Sequence, residues 1–121
     1  MVLSDVARLL DGELLCCEDK GSMEISRVCA SDLMSDVLAF GQAGGLLLTG
    51  LTNAQSINTA EVADVAAVVY VRGKRPEGDV IELARQRGIP VLTCCLSMFE
   101  ACGRMHARGF ESATDLGCDD E

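Results

Sequence analysis

The sequence predicts an α/β domain, a three-layer α/β/α sandwich around a mostly parallel five-stranded sheet. Three observations carry this. Hydrophobic residues make up 49% of the chain but aromatics only 3%, with no Trp. The core must therefore be built from Val, Leu, Ile, Ala, Met and Cys, the aliphatic stock of buried parallel strands. From Gly44 onward, short apolar runs alternate with amphipathic stretches, the pattern of right-handed βαβ crossovers. A length of 121 residues accommodates one core and no second.

Taken in order, Ser4 can cap a short helix with Val6, Leu9 and Leu10 on one face, ended by Asp11-Gly12. Residues 13–17 read as a strand, 18–21 as a turn and 25–30 as a second strand. These first two strands either pair antiparallel or sit at an edge. Ser31 is a good N-cap for a helix over 32–40, where Leu33, Val37 and Phe40 fall at helical spacing. A strand over 46–50 follows, then a polar loop over 51–58 and a helix of small residues over 59–65. The next strand spans 67–71, with Arg72-Gly73-Lys74-Arg75-Pro76 as its exit loop. A helix over 79–87 closes on Gly88, and the last strand spans 89–94. Ser97 caps a final helix running to about Arg108, with Phe99, Cys102 and Met105 inward. The domain is expected to occupy residues 1–110, and the acidic segment 111–121 to be a flexible tail with too little apolar surface to order.

Net charge is −9, from 19 acids against 10 bases, and the tail alone carries five acids and no base. Such a body, without a basic stripe or an aromatic ladder, argues against nucleic acid as a partner, because phosphate neutralisation supplies most of that affinity. The start, MVLSDVARLLDGELL, has an early Asp and a weak apolar centre, so no signal peptide is read. No apolar run reaches the length that spans a bilayer, so no membrane association is expected. The seven Cys, at 16, 17, 29, 94, 95, 102 and 118, fit free thiols packed as small hydrophobes in a reducing cytoplasm.

In such a sheet, ligands bind beyond the carboxyl ends of the strands, near a topological switch point. That selects four loops: Ser31-Asp32, Thr49–Asn53, Arg72–Arg75 and Thr93–Ser97. Neither glycine-rich nucleotide loop motif occurs, so both of those mechanisms lack their parts. The basic Arg72-Gly73-Lys74-Arg75 run precedes a helix N-terminus, which can draw an anion; alternatively its bases offset Glu77 and Asp79. The one His, His106, lies a turn after Cys102, but two ligands do not make a metal site and no C-x-x-C is present. Strand alternation sends Cys94 and Cys95, and likewise Cys16 and Cys17, to opposite faces. Asp32 and Asp36 sit one turn apart near a helix start, where capping and solubility explain them without chemistry. No metal, cofactor or catalytic constellation is read.

The stretch 46–99, with LLLTG, AAVVYVRGKRP, VIELARQRGIPVL and the final SMF, resembles the DRTGG domain. That module is found at the amino end of HPr kinase/phosphorylase, in some phosphate acetyltransferases and inside CBS-domain pyrophosphatases. The segment ASDLMSDVLA, residues 30–39, is similar to the D-L-x-S-D-V stretch of small stand-alone members from anaerobic bacteria, which resemble partners of iron-hydrogenase and redox-complex operons. Where the family has T-G-G-D-R, this chain has Thr49-Gly50-Leu51-Thr52-Asn53, and only Thr49 and Gly50 match. The resemblance spans about residues 1–110. It implies the three-layer fold, frequently a homodimer, and no active site, because catalysis in the larger relatives belongs to other domains.

The expected function is accordingly a non-catalytic regulatory or protein-interaction module, dimeric, with a partner in a metabolic or redox complex and with Asp32 and Asp36 as interaction residues. The alternative is a sensor for a nucleotide or phosphorylated metabolite, held by Thr49, Gly50, Thr52, Asn53, Arg72, Lys74, Arg75 and Ser97. A third reading, a thiol-redox protein using Cys94, Cys95 or Cys102, requires a thiol activated at a strand exit.

Overall fold

A computed structural model describes residues 1–117 of the chain. Cys118 and the last three acids of the expected tail lie outside the described residues. Among the described residues are five helices: α1 (Leu3–Leu9), α2 (Met34–Phe40), α3 (Ala54–Val62), α4 (Gly78–Arg87) and α5 (Met98–Ala107). Six strands, β1 (Glu13–Cys16), β2 (Arg27–Ala30), β3 (Leu46–Thr49), β4 (Ala67–Tyr70), β5 (Val91–Thr93) and β6 (Glu111–Ser112), form one sheet in the order β1-β5-β4-β3-β2-β6. The predicted three-layer α/β/α class is the observed one, with one strand more than expected. Among these described residues, no helix is long and apolar enough to cross a membrane.

The central strands β3, β4 and β5 are buried along their whole length, which is why their sequences read as unbroken apolar runs. Their alternate side chains supply two cores. Leu47, Val68, Tyr70 and Val91 face α2, α3 and α4, while Leu46, Leu48, Val69 and Leu92 face α1 and α5. Of the two placements the sequence left open, pairing with each other does not occur for the first strands, and only β1 sits at an edge. β1 pairs antiparallel with β5 at one edge, whereas β2 runs parallel to β3 on the far side.

β6 departs from the expected tail. Glu111 N–H donates to the Ser26 carbonyl (3.0 Å) and Ala113 N–H to that of Val28 (2.8 Å), giving β2 a parallel neighbour. Ala113 is buried against Gly45, where an added Cβ would come within 2.7 Å of its methyl group. Edge pairing and one close contact order a segment whose composition offers little hydrophobic surface.

Three further boundaries differ from the sequence reading. α1 starts at Leu3 with Val2 as its N-cap, so Ser4 lies inside the helix. α2 starts at Met34, because Ser31 Oγ accepts the Leu33 N–H (3.0 Å) in a local turn that delays the helix. α3 spans Ala54–Val62 in place of 59–65, since its buried face includes Ser56 and Thr59, polar residues that conceal the periodicity. Ser56 Oγ bonds both the Asn53 carbonyl and the Tyr70 hydroxyl, each at 2.7 Å, which permits its burial.

Candidate functional site

All three crossovers from β2 to β5 run in the same direction across the sheet, which places α2, α3 and α4 on one face. The parallel core therefore has no internal switch point, contrary to the premise used to select loops from the sequence. The strand ends still gather polar residues, and the geometry there comes from neighbouring strands ending side by side.

At the centre is a bracket across the end of β3. Asp32, two residues after β2, accepts the Gly50 N–H (2.6 Å) and the Thr49 hydroxyl (3.3 Å) on Oδ1. Its other oxygen faces the Arg72 guanidinium, beyond β4, at 4.0 Å. Gly50 makes the crossing possible, since a Cβ there would sit 2.5 Å from Arg72 Nη2. The sequence placed Asp32 at the first turn of α2, stabilised by that helix. Its anchor is instead the Gly50 amide of the adjacent strand.

Arg72 and Gly73 both hold positive φ, at 63° and 70°, in a turn closed by the Lys74 N–H on the Val71 carbonyl (3.3 Å). Two consecutive positive φ values mark a type I′ turn, costly for an arginine. It is held by the Arg72 N–H on the Leu96 carbonyl (2.7 Å) and the Gly73 N–H on the Cys94 carbonyl (2.8 Å). Beside it, Thr93 donates to the Lys74 carbonyl (2.6 Å) and Arg75 pairs with Glu13 (3.1 Å). Gly12, Glu13, Arg75, Thr93 and Cys95 line a cleft of about 240 Å³.

The other candidate residues are more dispersed. Thr52 is half-buried and Asn53 exposed, and Asn53 is the N-cap residue of α3 without a side-chain capping bond. Ser97 caps α5, its Oγ accepting the Glu100 N–H (3.1 Å), as its sequence context predicts. Asp36 is exposed on α2, away from the bracket. Of the named residues, then, Asp32, Thr49, Gly50 and Arg72 come together, and Lys74 and Arg75 form an adjoining rim.

The thiols depart from simple alternation. Cys94 is buried and Cys95 exposed, as alternation requires. Cys16 and Cys17, however, are both buried in the core under α4. The register of β1 shifts before Cys16, and Cys17 takes φ 60°, so the second side chain turns back to the same face. Burial first, and then the neighbouring Cys17, pushes the Cys16 thiol up to about 11. Burial also raises Cys94 and Cys102, which disfavours the thiolate and with it nucleophilic use.

The sequence reading missed two features. Phe99, expected inward, is 85% exposed at the start of α5, because Ala101 and Met105 take the buried face. The apolar spacing of Phe99, Cys102 and Met105 fits a helical stripe, and only the position of α5 over the sheet decides which flank is covered. The bond between Thr93 and the Lys74 carbonyl joins residues distant in sequence, and no local signal announces it.

An α/β/α domain whose strand ends carry an internally bonded polar cluster is the class these features define. The family model of the DRTGG domain matches residues 5–107, and the chain belongs to that family. A solved structure with similar architecture is that of the CBS and DRTGG domains of the regulatory region of Clostridium perfringens pyrophosphatase, complexed with the activator diadenosine tetraphosphate. The likeness has a TM-score of 0.69 at 20% identity, covering 86% of this chain and 45% of that one, so this chain spans less than half of that structure. No curated protein sequence matches the chain.

Proposed function

We propose that the chain is a non-catalytic regulatory module that acts by docking, as a homodimer, on a metabolic or redox complex in the cytoplasm. One observation carries this reading: the polar side chains at the strand ends are engaged in holding the loops. Asp32 binds the Gly50 amide, Thr93 the Lys74 carbonyl and Ser97 the Glu100 amide. A nucleophile and base at this edge would have to abandon those roles. The pyrophosphatase structure, in which a DRTGG domain belongs to a regulatory region, points the same way. The test mixes the purified chain with subunits of candidate redox complexes and measures co-elution and sedimentation. A discrete complex and a dimer are expected; a monomer that binds no subunit at micromolar concentration would overturn the reading.

A second reading, a sensor for a nucleotide or phosphorylated metabolite, is favoured by the exposed Arg72, whose guanidinium lies against Gly50 shortly before α3, and by the exposed Lys74 in the same loop. The first turn of α3 carries no acid, and its N-terminal amides face the same edge as Thr49, Gly50, Thr52 and Asn53. Arg75, paired with Glu13, and Ser97, occupied as a cap, contribute less to such a site. A thermal-shift series with nucleotides tests it. A ligand present at a hundredfold its Kd adds about 2.7 kcal/mol of stability, and a flat series removes this reading.

A further inference from the structure

We infer that the outer flank of α2, with the adjoining open end of β2, is a docking surface for a basic amphipathic helix of a partner protein. This rests on the docking reading above, and it names the face and the chemistry of the partner.

Leu33, Asp36 and Phe40 are spaced three and four residues apart and form one stripe along α2. The adjacent side of the helix buries Met34 and Val37 against the sheet. Leu33 is 57% and Phe40 38% exposed, two large apolar side chains on one flank. Asp36 and Phe40 line a groove of about 140 Å³ together with Cys29, Ala30 and Ser31. β6 pairs with β2 only at Arg27 and Val28, so among the described residues the last two positions of β2 have no strand on their outer side. A second groove, of about 290 Å³, lies along α5 and is lined by Val28, Ala30, Cys102, Met105 and Phe110. Ala30 and Thr114 line both grooves, which therefore meet at the end of β2 past its pairing with β6, and Leu116 also lines the smaller one.

Charge selects the occupant. Asp36 is exposed in the first groove, α2 contains no Lys or Arg, and Glu111 rims the second groove. Among the residues lining the two grooves, His106 is the one base. A second copy of a chain with net charge −9 would bring acid against acid here. A partner with Lys or Arg flanking an apolar stripe would instead pair with the carboxylates while covering Leu33 and Phe40. It is a helix and not a strand, because two open residues of β2 are too short a template for an added ladder, whereas a helix presents anchors at i, i+3 and i+7.

The probes are two Lys/Leu peptides of about 14 residues, a length at which helices are marginal alone and gain from docking. Their composition is identical; one is patterned as an amphipathic helix and the other scrambled. Binding of each to the full chain is followed by fluorescence anisotropy, and the site by amide shifts. The patterned peptide is expected to bind at least about tenfold tighter than the scrambled one, with shifts confined to residues 29–40 and 105–116. Asp36→Lys should weaken it by a similar factor, whereas Glu82→Lys, at an exposed acid on α4, should leave it unchanged. Asp36 is exposed and its replacement spares the fold; Phe40→Ser is the companion variant, checked by circular dichroism. Equal binding of both peptides, equal loss in the Asp36 and Glu82 variants, or shifts elsewhere would overturn the inference. So would a dimer that Phe40→Ser dissociates, since a second copy would then own this face. A null result with redox subunits alongside specific peptide binding would remove only the choice of partner complex.

Discussion

Single residues at the strand ends have separable roles, which stability measurements can distinguish. Asp32 supplies the acceptor for the buried Gly50 N–H, so Asp32→Ala strands that donor and should cost about 1 kcal/mol, tempered by the exposure of the carboxylate. Asp32→Asn keeps an acceptor and should lose less. Gly50→Ala displaces the Arg72 guanidinium, a flexible group half in water, and should cost less than Asp32→Ala although it disrupts the same bracket. Urea titrations that rank Gly50→Ala as the worse variant would show that the bracket depends on Arg72 and not on the amide. The Asp and the Thr-Gly pair are legible in the sequence as separate loop residues. Their meeting is not, because it depends on β2 and β3 ending side by side. Cys17 shows the complementary limit: alternation assumes extended backbone, and one residue at positive φ cancels it.

At the scale of elements, helix ends are the most regular feature. α1, α3, α4 and α5 each finish on a positive-φ residue, Asp11, Asp64, Gly88 and Gly109 respectively. In each, the following N–H reaches back to the carbonyl five residues earlier, as Val65 does to Ala60 (2.8 Å) and Ile89 to Ala84 (2.9 Å). Two of the four positions are Gly, where the sequence marks the stop plainly. At Asp64 the same geometry hides behind an unfavoured residue, which is one reason the end of α3 is misplaced from sequence. Asp64→Gly should therefore stabilise the chain by about 0.5–1 kcal/mol, read as a higher urea midpoint at unchanged slope. Ser97→Ala should cost about 1 kcal/mol by removing the cap of α5, and Ser97→Asp should restore most of it. If Ser97→Ala abolished a nucleotide-induced thermal shift while leaving stability intact, its primary role would be in ligand binding.

Over the whole molecule, the sequence determines the layers because burial of β3, β4 and β5 on both faces leaves an uninterrupted apolar signature. It does not determine the sheet order at the edges. β1 and β2 are short and half-buried, and their apolar patterns fit either edge of the same sheet. The aliphatic, thiol-rich core has a measurable consequence in alkali. Cys16 is fully buried and its thiol is raised from 9.0 to about 11. Below pH 9 the thiol is protonated whether the chain is folded or not, and it contributes no pH dependence. Between about 9 and 11 the unfolded chain releases this proton while the folded chain retains it, so stability falls as pH rises. Fully expressed, the loss is roughly 2–3 kcal/mol. Cys94, Cys102 and the buried Tyr70 hydroxyl are raised as well and act in the same direction. Urea midpoints should be level from pH 7 to 8.5 and decline steeply by pH 10.5, and Cys16→Ala should flatten part of that decline at a fixed cost for the vacated space. A wild-type curve as flat as that of the variant would mean that the Cys16 thiol ionises within the fold, and that water reaches the core beneath α4.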